Sequence, residues 1–389
     1  MGHMKVIGLG ACAALLMLGI GGPVLTSQAQ RAVSRQEGGA GVPRFELDVT
    51  WPKLPLPNDW LLGQIGGLYV DPKTDHIWIA NRTHTLTSGE KQGGKQAPSI
   101  IEFDQAGNVV QGWGDPGEGI DWPSREHGLA IDNQGNVWVG GNNDGRRTDG
   151  SPPTKGDHFI VKFSRNGKFI RQIGREGMSK GSNDTENLGL PAGLVYDPAA
   201  NEIWVADGYA NRRVIVFDNE TGAYKRHWGA YGAKPDDAVV LKRDPAIAPG
   251  NRPLAKQYST VHCLRISNDG LVYVCDREHD RIQVFRKDGT FVKEKIITPT
   301  VIGAVATDIA FSPDKAQQFM YVADHQKSKI LILRRDDMEV IGSFGGPGHY
   351  WGQFTIAHAI GVDSKGSIYV SESLEGKRVQ KFKYMGLSK

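Results

Sequence analysis

The sequence predicts an all-β protein, a six-bladed β-propeller closed by an N-terminal strand, and three observations carry that prediction. First, one short phrase recurs six times: GLYVD after Gly66, GLAID after His127, GLVYD after Ala192, CLRIS after His262, DIAFS after Thr307 and AIGVD after His358. Second, each copy runs through a turn rich in Asp, Asn and Gly into a strand with a central aromatic. These are HIWIA, NVWVG, EIWVA, LVYVC, MYVA and SIYVS. Most copies then continue into third and fourth strands, as in RVIVF-DNETG-AYKRHWG, which describes an antiparallel meander of about four strands per unit. Third, the sixth copy ends at RVQKFKYMG with no room for a fourth strand, while RFELDVTW (44–51) precedes the first copy without a unit of its own. Lacing that segment into the last blade removes an open sheet edge.

The chain of 389 residues, with 50 Gly and 20 Pro, suits many short strands joined by tight turns. Its net charge of +3 is spread along the chain, so no basic stripe argues for nucleic acid. At the start, Lys5, the apolar run Val6 to Leu25 and the small residues Ser27-Gln28-Ala29 read as a secretory signal over residues 1–29. The expected location is therefore secreted or periplasmic, with no membrane attachment once the signal is removed. Residues 30–43 (QRAVSRQEGGAGVP) read as a loose linker, and 44–389 as the propeller.

Four long polar insertions interrupt the repeat, at 84–98, 142–157, 175–189 and 230–259. The first two follow second strands and the last two precede first strands. In an antiparallel blade those two points share one face, so all four loops crowd one mouth. Cys263 and Cys275 bracket the hairpin turn Asn268-Asp269-Gly270. A cross-strand disulfide and two buried thiols are both compatible with that spacing, and a one-residue bulge would spoil the first.

The leading position of the six copies reads Gly66, His127, Ala192, His262, Thr307, His358, with histidine in every second copy. On a closed ring of six, alternate copies lie about 120° apart, so the three imidazoles can meet on the axis. Three neutral imidazoles with a fourth position open are a common way to hold catalytic zinc. Iron, copper or cobalt suit the same ligands. A lone histidine at a strand start is usually structural; three at one repeat position in alternate blades point to a metal.

The residues just after each second strand face the same mouth, and there Arg82, Tyr209, Arg277 and His325 are the reactive types. A tyrosine beside a metal and arginines can act as a base. Arginines there can bind a carboxylate bidentately, or merely pair with acids such as Asp276 and Glu278. Asp207, Asp276 and Asp324 recur and are expected to tie turns together. His76, His84, His227, His279 and His349 lie off the repeated position and are expected at the surface or in loops.

VHCLRISNDGLVYVCDREHDRIQVF resembles a repeat of the peptidyl-α-hydroxyglycine α-amidating lyases, which are six-bladed propellers of the NHL type. HGLAIDNQGNVWV and AHAIGVDSKGSIYV resemble two further repeats, and the likeness covers roughly residues 60–385. It implies that His127, His262 and His358 are zinc ligands. It also implies that Tyr209, in DGYANRRVIVF, is the catalytic tyrosine, and that Arg82, in ANRTH, and Arg277, in CDREHDRIQ, are active-site arginines. Two positions depart from the family. Ala359 stands where it has an aspartate that helps bind a structural calcium, and Ile356 where it has a methionine, which argues against calcium here.

The resemblance implies a zinc-dependent lyase. It would cleave the C–N bond of an α-hydroxyglycine-type small-molecule or peptide substrate, or a related α-hydroxy compound. Two other functions fit a propeller with a loop-rich mouth: a secreted ligand- or protein-binding module, and a lactonase-like hydrolase. Hydrolases of that kind rely on calcium and carboxylates rather than a histidine trio.

Overall fold

The computed structural model describes residues 36–114, 117, 119–146, 155–241, 251, 253–298 and 303–389. Six antiparallel sheets form a six-bladed propeller. Blade 1 comprises Gln64–Val70, Ile77–Arg82, Ile100–Phe103 and Val109–Trp113. Blade 2 comprises Glu126–Ile131, Val137–Gly141, Phe159–Phe163 and Phe169–Gly174. Blade 3 comprises Gly193–Asp197, Glu202–Asp207, Arg213–Asp218 and Tyr224–Trp228. Blade 4 comprises Val261–Ile266, Val272–Asp276, Arg281–Phe285 and Phe291–Ile296. Blade 5 comprises Ala306–Phe311, Phe319–Asp324, Lys329–Arg334 and Val340–Gly345. Blade 6 takes Ala357–Val362, Ile368–Glu372 and Val379–Leu387 from the C-terminal end, and its outer strand is Pro43–Asp48. That strand pairs Phe45 with Tyr384 and Leu47 with Phe382, so the first strand of the ring closes the last blade. The first strands of neighbouring blades touch all the way round, with blade 6 against blade 1.

The alternation within each second strand buries one aromatic per blade: Trp78, Trp138, Trp204, Tyr273, Tyr321 and Tyr369 are all essentially inaccessible. Each fills the space between its own sheet and a neighbour, which is why six similar phrases generate six similar wedges. Ion pairs seal three blade rims. Arg213 meets Asp207, Arg281 meets Asp276 and Arg378 meets Glu372, in each case joining the end of the second strand to the start of the third. Asp324 lacks that partner, because Lys329, opposite it, turns to Glu37 instead.

The stretch read as a loose linker is ordered from residue 36 onward. Glu37–Gly38 adds a short fifth strand to blade 5, and the Gln36 side chain accepts a hydrogen bond from Phe45 N at 3.0 Å. This edge pairing is a contact between distant segments that polar, Gly-rich composition does not reveal. The expected signal segment, residues 1–29, lies outside the described residues, as do 147–154 and 242–250 of the expected mouth loops. Among the described residues no helix is long and apolar enough to cross a membrane.

The leading positions of the repeat sit on irregularities. In five blades the pairing of first and second strands slips by one residue there: at Gly66, His127–Gly128, His262, Thr307 and His358. A bulge breaks the two-residue alternation and re-aims one side chain. Here it turns the leading residue toward the axis while the rest of the strand keeps its core face. The Cys263–Cys275 bond is formed, with Cα atoms 5.0 Å apart, because the bulge falls at His262 and leaves Cys263 directly opposite Cys275.

Candidate functional site

The three bulged histidines meet on the axis. Ring centroids are 4.8 Å apart for His127 with His262 and with His358, and 5.3 Å for His262 with His358. One nitrogen from each lies within 4.8 Å of the others, and all three rings are buried. Burial first, then the charge of the neighbouring histidines and arginines, holds all three well below the usual histidine range, so they are neutral. The next blade orients two of them. His127 Nδ1 donates to Ala192 O at 2.9 Å and His262 Nδ1 donates to Thr307 O at 2.5 Å. A carbonyl only accepts, so these contacts place the proton on Nδ1 and leave the Nε2 lone pair facing inward.

Tyr209 reaches over this cluster from blade 3. Its hydroxyl lies 3.1 Å from His127 Nε2 and 3.0 Å from His262 Nε2. Gly208 makes the approach possible, since a Cβ there would sit 2.2 Å from the Val261 backbone. One hydroxyl proton cannot serve two lone pairs. Two inward-facing imidazole nitrogens therefore compete for a single donor, and a divalent cation would satisfy both. This donor set, neutral and buried, with two of its three rings fixed at Nδ1, fits a transition metal such as zinc.

The two arginines flank Tyr209 unequally. Arg277 Nη1 donates to the Tyr209 oxygen at 3.1 Å, with its guanidinium carbon 5.3 Å from the ring centroid, and it also pairs with Glu278 at 2.9 Å. Asp276 is held by Arg281 and His279 instead, so Arg277 is left free to face the mouth. Arg82 is 2% exposed, and among the described residues it pairs with no carboxylate. Its Nε donates to Glu126 O at 2.7 Å, its Nη1 reaches Gln64 Oε1 only at 3.5 Å, and its Nη2 is buried without a partner. Burial pulls it down to about 10, with Arg125 adding repulsion, so it stays cationic at neutral pH. No hydrogen bond joins Arg82 to Tyr209.

Six of the seven residues singled out from the sequence, the three histidines with Tyr209, Arg82 and Arg277, thus converge. Gln64 and Glu126, which line Arg82, carried no such signal: Glu126 holds the position before the leading one, where the other copies have Ile65, Pro191, Val261, Ala306 and Ala357, and Gln64 lies one residue further back. Gly66 has a steric reason to lack a side chain. A Cβ there would fall 2.0 Å from Glu126 O, the carbonyl that receives Arg82.

Beneath the histidines a small axial cavity runs between the first strands. Ala359 presents only a methyl group to it. The carboxylate in the channel is Asp308, one blade earlier. It receives Arg265 Nη2 at 2.7 Å, Ile360 N at 3.1 Å and Ile309 N at 2.9 Å. With a guanidinium and two amides already on that carboxylate, the residues here do not fit a calcium ion.

A family profile for the NHL repeat matches residues 259–285. The chain is 25% identical over 345 residues to peptidyl-glycine alpha-amidating monooxygenase B of Xenopus laevis, covering 85% of this chain and 34% of that protein. It thus spans about a third of the length of the amidating monooxygenases it matches. It is 24% identical to human NHL repeat-containing protein 3, over 87% of this chain and 84% of that one. It is 29% identical over 161 residues to a probable peptidyl-alpha-hydroxyglycine alpha-amidating lyase of Caenorhabditis elegans, covering 41% of this chain and 36% of that protein.

Proposed function

We propose that this propeller is a zinc-dependent lyase that cleaves the C–N bond of a carbinolamide, N–CH(OH)–COO⁻, to an amide and glyoxylate, or a related α-hydroxy compound. The observation that carries the reading is the Tyr209 oxygen. It is held 3.0–3.1 Å from two imidazole Nε2 atoms and from Arg277, in a buried site where a second guanidinium, Arg82, keeps one nitrogen unpartnered. The similarity to amidating enzymes supports the same reading.

His127, His262 and His358 would hold the metal, whose contribution when bound is Lewis-acid stabilisation of negative charge on an oxygen. Tyr209 is the group placed to take the substrate hydroxyl proton. Arg277 donates to that same oxygen, a charge-assisted contact that stabilises negative charge on it before the transfer. As the proton leaves, the O–H electron pair becomes the second C–O bond of glyoxylate, the C–N bond breaks with its pair going to nitrogen, and the proton taken by Tyr209 is returned to that nitrogen to give the amide. Arg82, with an unused buried N–H pointing to no protein acceptor, is suited to the substrate carboxylate. The Cys263–Cys275 bond supports a secreted or periplasmic location.

Similarity to a protein named only for its repeat supports a second reading, a secreted ligand-binding propeller. The test is glyoxylate release from α-hydroxyhippurate by zinc-loaded protein. The lyase reading expects release, and Tyr209→Phe should reduce turnover about 10²–10⁴-fold at unchanged metal content. Binding of α-hydroxyhippurate with no release above background would leave only the binding module. A fully active Tyr209→Phe would refute the assigned base.

A further inference from the structure

One mouth residue has no role in the scheme above. His325 follows Asp324 at the end of the second strand of blade 5, the register position that Arg277 holds after Asp276 in blade 4 and Arg82 holds after Asn81 in blade 1. Its backbone is pinned in a tight turn. Lys327 N donates to Asp324 Oδ1 at 3.0 Å, Gln326 N to Ala304 O at 3.2 Å and Ser328 N to His325 O at 3.4 Å. It sits on blade 5, between blade 4, which carries His262 and Arg277, and blade 6, which carries His358. It is not a fourth ligand, since the candidate metal group among the described residues is the trio alone.

Other histidines of this chain show what a structural Nδ1 does. His76 Nδ1 meets Glu102 at 2.6 Å, His279 Nδ1 meets Asp276 at 2.6 Å and His158 Nδ1 accepts from Ser179 N at 3.1 Å. His325 Nδ1 is buried with no partner, a condition shared among the described residues only with His358 Nδ1. Leaving such an atom unpaired costs on the order of 1–3 kcal/mol, and a bound ligand can recover that cost. The nature of the ligand group follows from charge. Arg82 already serves the anionic end, and Arg277 the Tyr209 oxygen. Burial first, then Arg277, depresses His325, so it meets a ligand as a neutral imidazole. A neutral imidazole beside cations suits a neutral polar group.

We propose that His325 is a substrate-binding residue whose Nδ1 hydrogen-bonds the amide that departs in the reaction, so that the site selects N-acylated substrates over simple α-hydroxy acids. This rests on the lyase reading. The test uses two ligands with no scissile carbinolamide bond: hippurate, which carries the amide and carboxylate, and glycolate, which carries the hydroxyl and carboxylate. Binding of each to zinc-loaded wild type, His325→Ala and His325→Gln is measured by calorimetry, with metal content determined in parallel. His325→Ala should weaken hippurate roughly 5–15-fold, the worth of one neutral hydrogen bond, and leave glycolate and metal unchanged. His325→Gln, which keeps a donor and an acceptor, should recover part of the loss. Equal weakening of both ligands, no weakening of either, or loss of metal overturns the assignment. If wild type binds hippurate with this pattern yet releases no glyoxylate from α-hydroxyhippurate, the reaction falls and the amide contact stands. If it binds neither ligand, both fall.

Discussion

Two arginines of this molecule are equally buried and differently used. Arg213, at the rim of blade 3, is inaccessible and has every guanidinium nitrogen bonded to the protein. Its Nε bonds Asp207 at 2.8 Å, its Nη1 bonds Ser182 O at 2.9 Å and also reaches Asp184 O, and its Nη2 bonds Asn187 O at 2.8 Å. Arg82, at the mouth, has one firm hydrogen bond and one buried nitrogen with none. Burial costs both groups their hydration, but only Arg213 recovers it within the fold. The same contrast separates the blade rims from the axis in general. The rims of blades 3, 4 and 6 form closed networks, whereas the mouth gathers the unpaired atoms of Arg82, His325 and His358, and the blade 5 rim leaves Asp324 Oδ2 unpaired. A closed network measures stability; an open one marks where a ligand completes the hydrogen bonding.

This contrast can be broken by substitution. Arg213→Met should be the most damaging to the fold, because it strands the buried Asp207 carboxylate. A loss of about 3–5 kcal/mol in urea unfolding is expected, and a loss below about 1 kcal/mol would show that rim networks are not structural. Arg82→Met should reverse the pattern. It removes no carboxylate's partner, so stability should stay within about 1 kcal/mol, while kcat/KM on α-hydroxyhippurate falls roughly 10²-fold. If stability falls as for Arg213, the distinction between the two arginines is wrong.

Smaller effects sharpen the comparison along the axis. Asp308 below the histidines resembles Arg213 in being satisfied. Arg265→Met should therefore destabilise by about 1–3 kcal/mol, by leaving Asp308 with backbone donors only, and should leave metal content unchanged. The smallest expected effect is a shift of zero. A calcium-selective chelator should not move the thermal midpoint, whereas a chelator of transition metals should lower it and remove activity. A midpoint that drops with the calcium chelator would contradict the role assigned to the Arg265–Asp308 pair.

The amino-acid sequence by itself determined six units, their four-strand meander and the closing of blade 6 by the segment that begins near Arg44. Strand alternation and Asn/Asp/Gly turns are local properties, repeated often enough to be counted. It also showed histidine at alternate leading positions, and Tyr209, Arg82, Arg277 and His325 at strand ends, because equivalent positions in a repeat occupy equivalent places in a ring. What only the tertiary structure decided depends on contacts between blades. The bulges that swing His127, His262 and His358 to the axis are register slips between paired strands, invisible in a pattern of period two. The bond between Cys263 and Cys275 depended on whether such a slip fell at His262 or one residue later. The carbonyls that orient the imidazoles come from Ala192 and Thr307, 65 and 45 residues along the chain. The pairing of Arg265 with Asp308 beneath the histidines likewise joins two blades. Which buried polar atoms are satisfied follows from ring closure. Closure brings donors and acceptors together across the axis whatever their separation in sequence, and a linear pattern does not encode those distances.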